Sequence, residues 1–207
     1  MSDKKIILVG YSGHGLVVAD TAFENNLNVI GYTEKAINNI NPYKLEYLGN
    51  ESSSNVDLWD LDADFILGIG DNILREKIFN LIINKGKKVI SLINSTAAIS
   101  SFAIIGEGVF VNRHVTINAL ANVGNNVILN TGCIIEHECV IHENVHVAPG
   151  AVLAGNVKVG KGTFIGANAV IKQGVEIGNS VTIGAGAVVL KNVSDNSKVI
   201  GNPGKEI

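Results

Sequence analysis

Residues 132–150, GCIIEHECVIHENVHVAPG, hold three of the chain's five histidines (His137, His142, His146) and both of its cysteines (Cys133, Cys139). His137 stands between two carboxylates, Glu136 and Glu138. A histidine titrates near neutrality and can take a proton from an attacking amine or hydroxyl. A neighbouring carboxylate can hold its tautomer and stabilise the imidazolium that forms. The H-x4-H spacing of His137 and His142 is also compatible with metal ligation, which for zinc hydroxide chemistry needs three protein ligands and an open position. A second group with chemical meaning lies near the start, where Gly10-Tyr-Ser12-Gly13-His14-Gly15 follows the apolar run KIILV. Glycines at a strand end, followed by exposed N–H groups at a helix start, are suited to a phosphate. The spacing G-x-x-G-x-G is not the dinucleotide fingerprint G-x-G-x-x-G, and Glu34 alone supplies an acidic residue after the second strand.

The elements that position the histidines are set by a repeat. From Ile99 to Val189 every sixth residue is a branched aliphatic, and four residues after each lies a small one. Cys133 and Cys139 occupy that small phase, so both are expected to be packing residues; a free cysteine behaves as a small buried hydrophobe. An uninterrupted period of six is the signature of a parallel β-helix. The pattern resembles the hexapeptide-repeat acyltransferases, and that resemblance implies a left-handed three-sided prism with eighteen residues per coil. The 96 residues of the repeat then make a little over five coils. On this stacking Gly155 lies one coil beyond His137, and Ala148, Gly166 and Gly184 follow Asn130. Small residues there are expected to leave a groove for a pantetheine arm.

Before the repeat, strands are expected at residues 5–9, 28–32, 65–69 and 88–92. One helix carries Leu16, Val17, Ala19, Ala22 and Phe23, a second carries Leu74, Ile78, Leu81 and Ile82, and the Asn-rich stretch 36–55 reads as loop. Alternating strands and helices imply a small parallel α/β domain. The expected domains are 1–94 and 95–207. The glycine-bearing stretch GIGDNILR at 68–75 would lie at the same carboxyl edge as Gly10 and complete a crevice there.

With 207 residues, 46% hydrophobic, the chain can fill a core, and a net charge of −3 offers no basic surface for nucleic acid or anionic membrane. The apolar run Ile6 to Val9 is too short for a secretory signal, and no later run approaches a membrane span, so a cytoplasmic location is expected.

Four stretches, ILVGYSGHGLVVAD, GIGDNILREKI, NTGCIIEHECVIHENVHVAPGAVLAGNVKVG and VIGNPGK, together resemble the two-domain nucleotide-sugar acetyltransferases related to NeuD and PglD. The resemblance covers nearly the whole chain. It implies a Rossmann-like α/β domain that holds a nucleotide-linked amino sugar, a left-handed β-helix that binds acetyl-CoA between subunits, and a homotrimer. By resemblance His137 is the general base and Glu138 its orienting partner, with Glu136 the alternative. His146 would stand beside the acetyl group, with Gly155, Gly166, Ala167, Gly184 and Ala185 along the coenzyme. Gly10, Ser12, Gly13, His14, Gly15, Thr33, Gly70, Asn72 and Arg75 would hold the sugar nucleotide. Where the family commonly has an Asp pair after its second strand, this chain has Thr33-Glu34.

The implied reaction is direct transfer of acetyl from acetyl-CoA to a sugar 4-amine. A sugar hydroxyl is the alternative acceptor, as in sialic-acid O-acetylation. The γ-class carbonic anhydrases share the β-helix and the H-x4-H spacing. Their third histidine comes about two coils earlier, where this chain has Ser101, and His114 is out of phase, so no metal is expected. No role follows for His114 or His142, which are expected to face solvent.

Overall fold

The computed structural model describes residues 4–51 and 57–207. The chain divides into two compact units, Met1–Leu92 and Ile93–Ile207. In the first, β1 (Lys5–Val9), β2 (Asn28–Thr33), β3 (Glu46–Tyr47) and β4 (Ala63–Leu67) form a parallel sheet in the order β3-β2-β1-β4. Ile6 to Val9 are buried without alternation, the pattern of a parallel strand covered on both faces. Helix α1 (Gly13–Glu24) follows β1 and helix α2 (Asn72–Asn84) follows β4. Because the sheet grows from β1 in both directions, the loops leaving β1 and β4 part at their carboxyl ends and leave a crevice between them. Both glycine motifs sit there.

Three details of this unit differ from expectation. The strand expected at 65–69 is Ala63–Leu67, because Gly68 turns the chain out of the sheet against the backbone of Gly10 and Gly15. The strand expected at 88–92 contributes only a bridge from Val89 to Phe65. Within the stretch expected to be loop, β3 pairs with Gly31 and Tyr32 of β2; residues 52–55 of that stretch lie outside the described residues.

The second unit is a parallel β-solenoid of two-residue strands in three sheets. Partners are eighteen residues apart, as in Ile134 with Val152, Val140 with Lys158 and His146 with Phe164. The winding begins one hexapeptide earlier than Ile99, with a strand at Leu92–Ile93, and its last coil is shortened, Thr182 pairing with Lys198. The sixth-residue aliphatics and the small residues between them fill the interior; Ile135, Cys133, Cys139, Val147 and Leu153 are completely buried. Each large aliphatic so buried contributes about 1.5–3 kcal/mol relative to exposure. Burial pushes the Cys133 thiol up to about 12 and raises that of Cys139, so both are poor nucleophiles.

The corners carry a left-handed backbone at every sixth residue. Asn126, Asn144, Asn156 and Asn168 and the glycines at 132, 150, 162 and 174 take it with φ between 55° and 73°. Asparagine and glycine tolerate this region best. His114, Leu120 and Glu138 adopt it as well, with φ of 58°, 63° and 62°.

Candidate active site

The crevice of the first unit is a cleft of about 530 Å³. Gly10, Ser12, His14, Glu34, Lys35, Asn50, Glu51, Gly70, Asp71 and Lys77 are among its lining residues. Ser12 is the N-cap of α1 but makes no side-chain capping bond, and no acidic residue occupies the first turn of that helix. The start of α1 is therefore a positive helix end facing the cleft. At α2 the Asp71 carboxylate accepts the Leu74 N–H at 2.8 Å and caps the helix itself. Glu34 accepts the N–H of Tyr11 (3.1 Å) with one carboxylate oxygen and that of Lys35 (3.0 Å) with the other, tying the glycine loop to the end of β2. His14 is held neutral: burial and then the Arg75 charge lower its pKa to about 4.

Of the residues expected to hold a sugar nucleotide, Gly10, Ser12, His14 and Gly70 line the cleft. Gly15 serves packing, since a Cβ there would stand 2.2 Å from the Gly10 carbonyl oxygen, whereas one at Gly13 meets nothing within 4 Å. Thr33 is fully buried, its carbonyl accepting the Gly10 N–H at 2.9 Å. Arg75 is buried, and its guanidinium donates to the Gly70 carbonyl at 3.2 Å and to Asn72 Oδ1 at 2.9 Å, so both Arg75 and Asn72 shape the loop. Lys35 and Lys77 were not foreseen from sequence. They face the cleft because Lys35 follows the end of β2 and Lys77 lies in the second turn of α2, a placement that only the sheet order reveals.

In the solenoid, His137 and Glu138 form a corner that is half exposed. His137 Nδ1 donates to Glu138 Oε2 at 3.1 Å, and Glu136 instead accepts the backbone N–H of His137 at 3.3 Å. With the proton on Nδ1, Nε2 is the basic nitrogen. The imidazole lies over Gly155, where a Cβ would stand 2.5 Å from both Cε1 and Nε2. Only glycine admits the ring at that place.

His146 is nearly buried, on the strand His146–Val147, with its ring edge-on to Phe164 at 5.1 Å. Its Nε2 lies 3.3 Å from Nδ2 of Asn130, a residue the sequence had marked only as a stacking position. Gly166 is closed over by the next coil, its missing Cβ facing the backbone of Ile183 to Ala185, and that of Gly184 faces Ile200. Ala167 and Ala185 are partly or fully exposed one coil apart. The surface left by these small residues is therefore that of the two alanines, while the glycines permit close stacking. His114 and His142 are exposed. Among the described residues no group of three His, Cys, Asp or Glu side chains is placed to hold a metal ion.

Residues 5–82 match the family described as PglD N-terminal domain, and residues 121–155 and 156–191 match that described as bacterial transferase hexapeptide (six repeats). The acetyltransferase domain of PglB from Neisseria gonorrhoeae, solved in complex with acetyl coenzyme A, is 30% identical with a TM-score of 0.92 over 100% of both chains. The chain is a PglD-type hexapeptide-repeat acetyltransferase. PerB from Caulobacter crescentus, in complex with CoA and GDP-perosamine, is 29% identical to this acetyltransferase (TM-score 0.90; 100% of this chain, 98% of the other). WeeI from Acinetobacter baumannii is 25% identical (TM-score 0.89; 99% and 100%). The PglD-type acetyltransferase thus combines a Rossmann-like unit, with its cleft at the strand-order reversal, and a solenoid that carries the His137–Glu138 corner.

Proposed function

We propose that this acetyltransferase transfers acetyl from acetyl-CoA to the 4-amino group of a nucleotide-linked amino-deoxy sugar, directly and without an acyl-enzyme. The observation that carries the reading is the His137–Glu138 corner: a half-exposed imidazole whose Nδ1 is committed to a carboxylate and whose Nε2 is basic. The amine nitrogen attacks the thioester carbonyl carbon, His137 Nε2 takes the amine proton, the C–S bond breaks so that CoA departs as thiolate, and the imidazolium passes that proton to the sulfur. Glu138 stabilises the imidazolium while the proton resides there. His146 serves the thioester carbonyl, where a donated hydrogen bond stabilises the developing oxyanion. Neither cysteine is placed for a ping-pong route, because both are buried and hard to ionise.

The cleft of the first unit takes the nucleotide part. The uncapped start of α1 faces a phosphate, and Lys35 and Lys77 add positive charge at its wall. Likeness to PerB, solved with CoA and GDP-perosamine, and to PglB, solved with acetyl coenzyme A, supports a nucleotide-linked amino sugar and acetyl-CoA as the two substrates. The working form is a cytoplasmic homotrimer. Phe102, Ile104 and Leu120, 71%, 64% and 62% exposed, lie close together near the beginning of the solenoid and are the surface that neighbouring copies would cover.

Thiol release from acetyl-CoA, measured across UDP-, dTDP- and GDP-linked 4-amino-4,6-dideoxy sugars with free sialic acid as hydroxyl control, tests the reading. Turnover with one amino sugar, lost in His137→Ala while acetyl-CoA binding persists, is the expected result. An unchanged kcat in that variant removes His137 from the mechanism, and turnover on sialic acid alone moves the acceptor to oxygen.

A further inference from the structure

We infer that Asn112, one coil before Asn130, is a positioning residue that acts through Asn130 to hold His146 as the Nδ1–H tautomer. The inference rests on the reading that His146 serves the acetyl group. Asn112 is 1% exposed, and its own amide is oriented by the Arg113 N–H, which donates to Asn112 Oδ1 at 2.7 Å. Asn112 Nδ2 is thereby turned towards the next coil, where it donates to Thr131 Oγ1 at 2.8 Å and to Asn130 Oδ1 at 3.1 Å. Asn130 Oδ1 also accepts the backbone N–H of Thr131 at 2.8 Å. A flipped Asn130 amide would set its NH2 against two donors, so its oxygen must face Asn112 and Thr131. Nδ2 is then the atom presented to His146 Nε2 at 3.3 Å, and a donor there requires Nε2 to be the acceptor. The ring proton resides on Nδ1. The edge-on contact with Phe164 keeps the ring from turning over.

This order cannot be set by His146 and Asn130 alone, since that pair is equally satisfied with the amide reversed and the proton on Nε2. The Asn112 amide and the Thr131 N–H together decide the orientation. In the proposed reaction the tautomer determines which edge of the His146 ring carries the donor for the thioester carbonyl, and a wrong tautomer removes it.

The full-length protein with ¹⁵N-labelled histidine tests the inference without reference to any substrate. Its five histidines give resolvable two-bond proton–nitrogen patterns, and His146→Gln assigns the resonance. The expected result at pH 7.5 is a protonated Nδ1 and an unprotonated Nε2; an Nε2–H tautomer in the wild-type protein overturns the inference. Asn130→Asp keeps an acceptor for Asn112 and Thr131 while replacing the NH2 by a second acceptor, so Nε2 should gain a proton, and an Nε2 that stays bare counts against the relay. In Asn112→Leu, close in volume, both tautomers are expected, with kcat down about tenfold and the KM of the amino sugar unchanged. A folded Asn112→Leu protein that retains the Nδ1–H form alone eliminates Asn112 from the role. If the wild-type tautomer is as expected but no amino sugar is acetylated, the proposed function fails and the relay stands.

Discussion

At the scale of single residues, Glu138 and Gly155 show two ways in which the corner around His137 departs from the repeat that builds it. Glu138 has φ of 62° at a position where neighbouring corners use asparagine or glycine. A left-handed backbone at such a residue costs about 1 kcal/mol, which the fold bears because the carboxylate reaches His137 Nδ1 from there. Glu138→Asn should therefore raise the melting temperature by about 2–4 °C while lowering kcat. Calorimetry and steady-state rates on the same sample check both signs, and a lower melting temperature would remove the strain argument. Gly155 makes the complementary case. Its missing Cβ leaves the space beneath the imidazole, and in Gly155→Ala the half-exposed ring must swing outward. Stability should stay nearly constant and kcat should fall on the order of a hundredfold; an active Gly155→Ala enzyme would show that ring placement is unimportant.

At the scale of elements, the turn from β1 into α1 separates two glycines that look alike in sequence. Gly15 backs onto the Gly10 carbonyl, so Gly15→Ala drives α1 off the sheet and should cost about 1–3 kcal/mol. At Gly13 a Cβ is unopposed within the protein, so Gly13→Ala should melt like wild type and weaken nucleotide binding. Denaturation and nucleotide titration of the pair distinguish packing from ligand approach, and equal destabilisation would refute the separation. His14, in the first turn of α1, adds a pH dependence. Its folded pKa of about 4 lies below the ordinary histidine value of 6.5, so the unfolded chain binds the proton first and stability falls as pH drops from about 6.5 to about 4. Above that window His14 contributes no pH dependence. Melting curves of wild type and His14→Asn between pH 7 and 4.5 should converge at the acid end, and parallel curves would contradict burial as the cause.

At the scale of the whole molecule, the solenoid leaves Phe102, Ile104 and Leu120 exposed although its interior is fully packed. Leu120 also takes the left-handed corner conformation, with φ of 63°, one coil before Glu138. A large apolar side chain that is both exposed and strained suits an interface between copies. Leu120→Asp should convert the proposed trimer to monomers in light scattering, with activity lost in parallel; an unchanged assembly would place the interface elsewhere.

The hexapeptide winding, the burial of both cysteines and the corner position of His137 were legible in the amino-acid order, because a period of six and the alternation of inward and corner residues are local properties; the choice of Glu138 over Glu136 as its partner came from the family resemblance alone. The stacking rule also identified Gly155 correctly as the residue beneath His137. What required the tertiary structure was which polar groups meet across coils and across the sheet. Neighbours eighteen residues apart can be named from sequence, but the direction in which an amide points depends on all of its donors at once, as in Asn112, Asn130 and His146. Lys35 and Lys77 reach one cleft only because the strand order brings the ends of β2 and β4 to the same edge. Arg75, chemically suited to a phosphate, is instead buried beneath the loop it holds, since the carbonyls that satisfy its charge lie on the inner side of that loop. Periodicity specifies the scaffold and the phase of each side chain; the closing of hydrogen bonds between distant segments decides which of those side chains are available for chemistry.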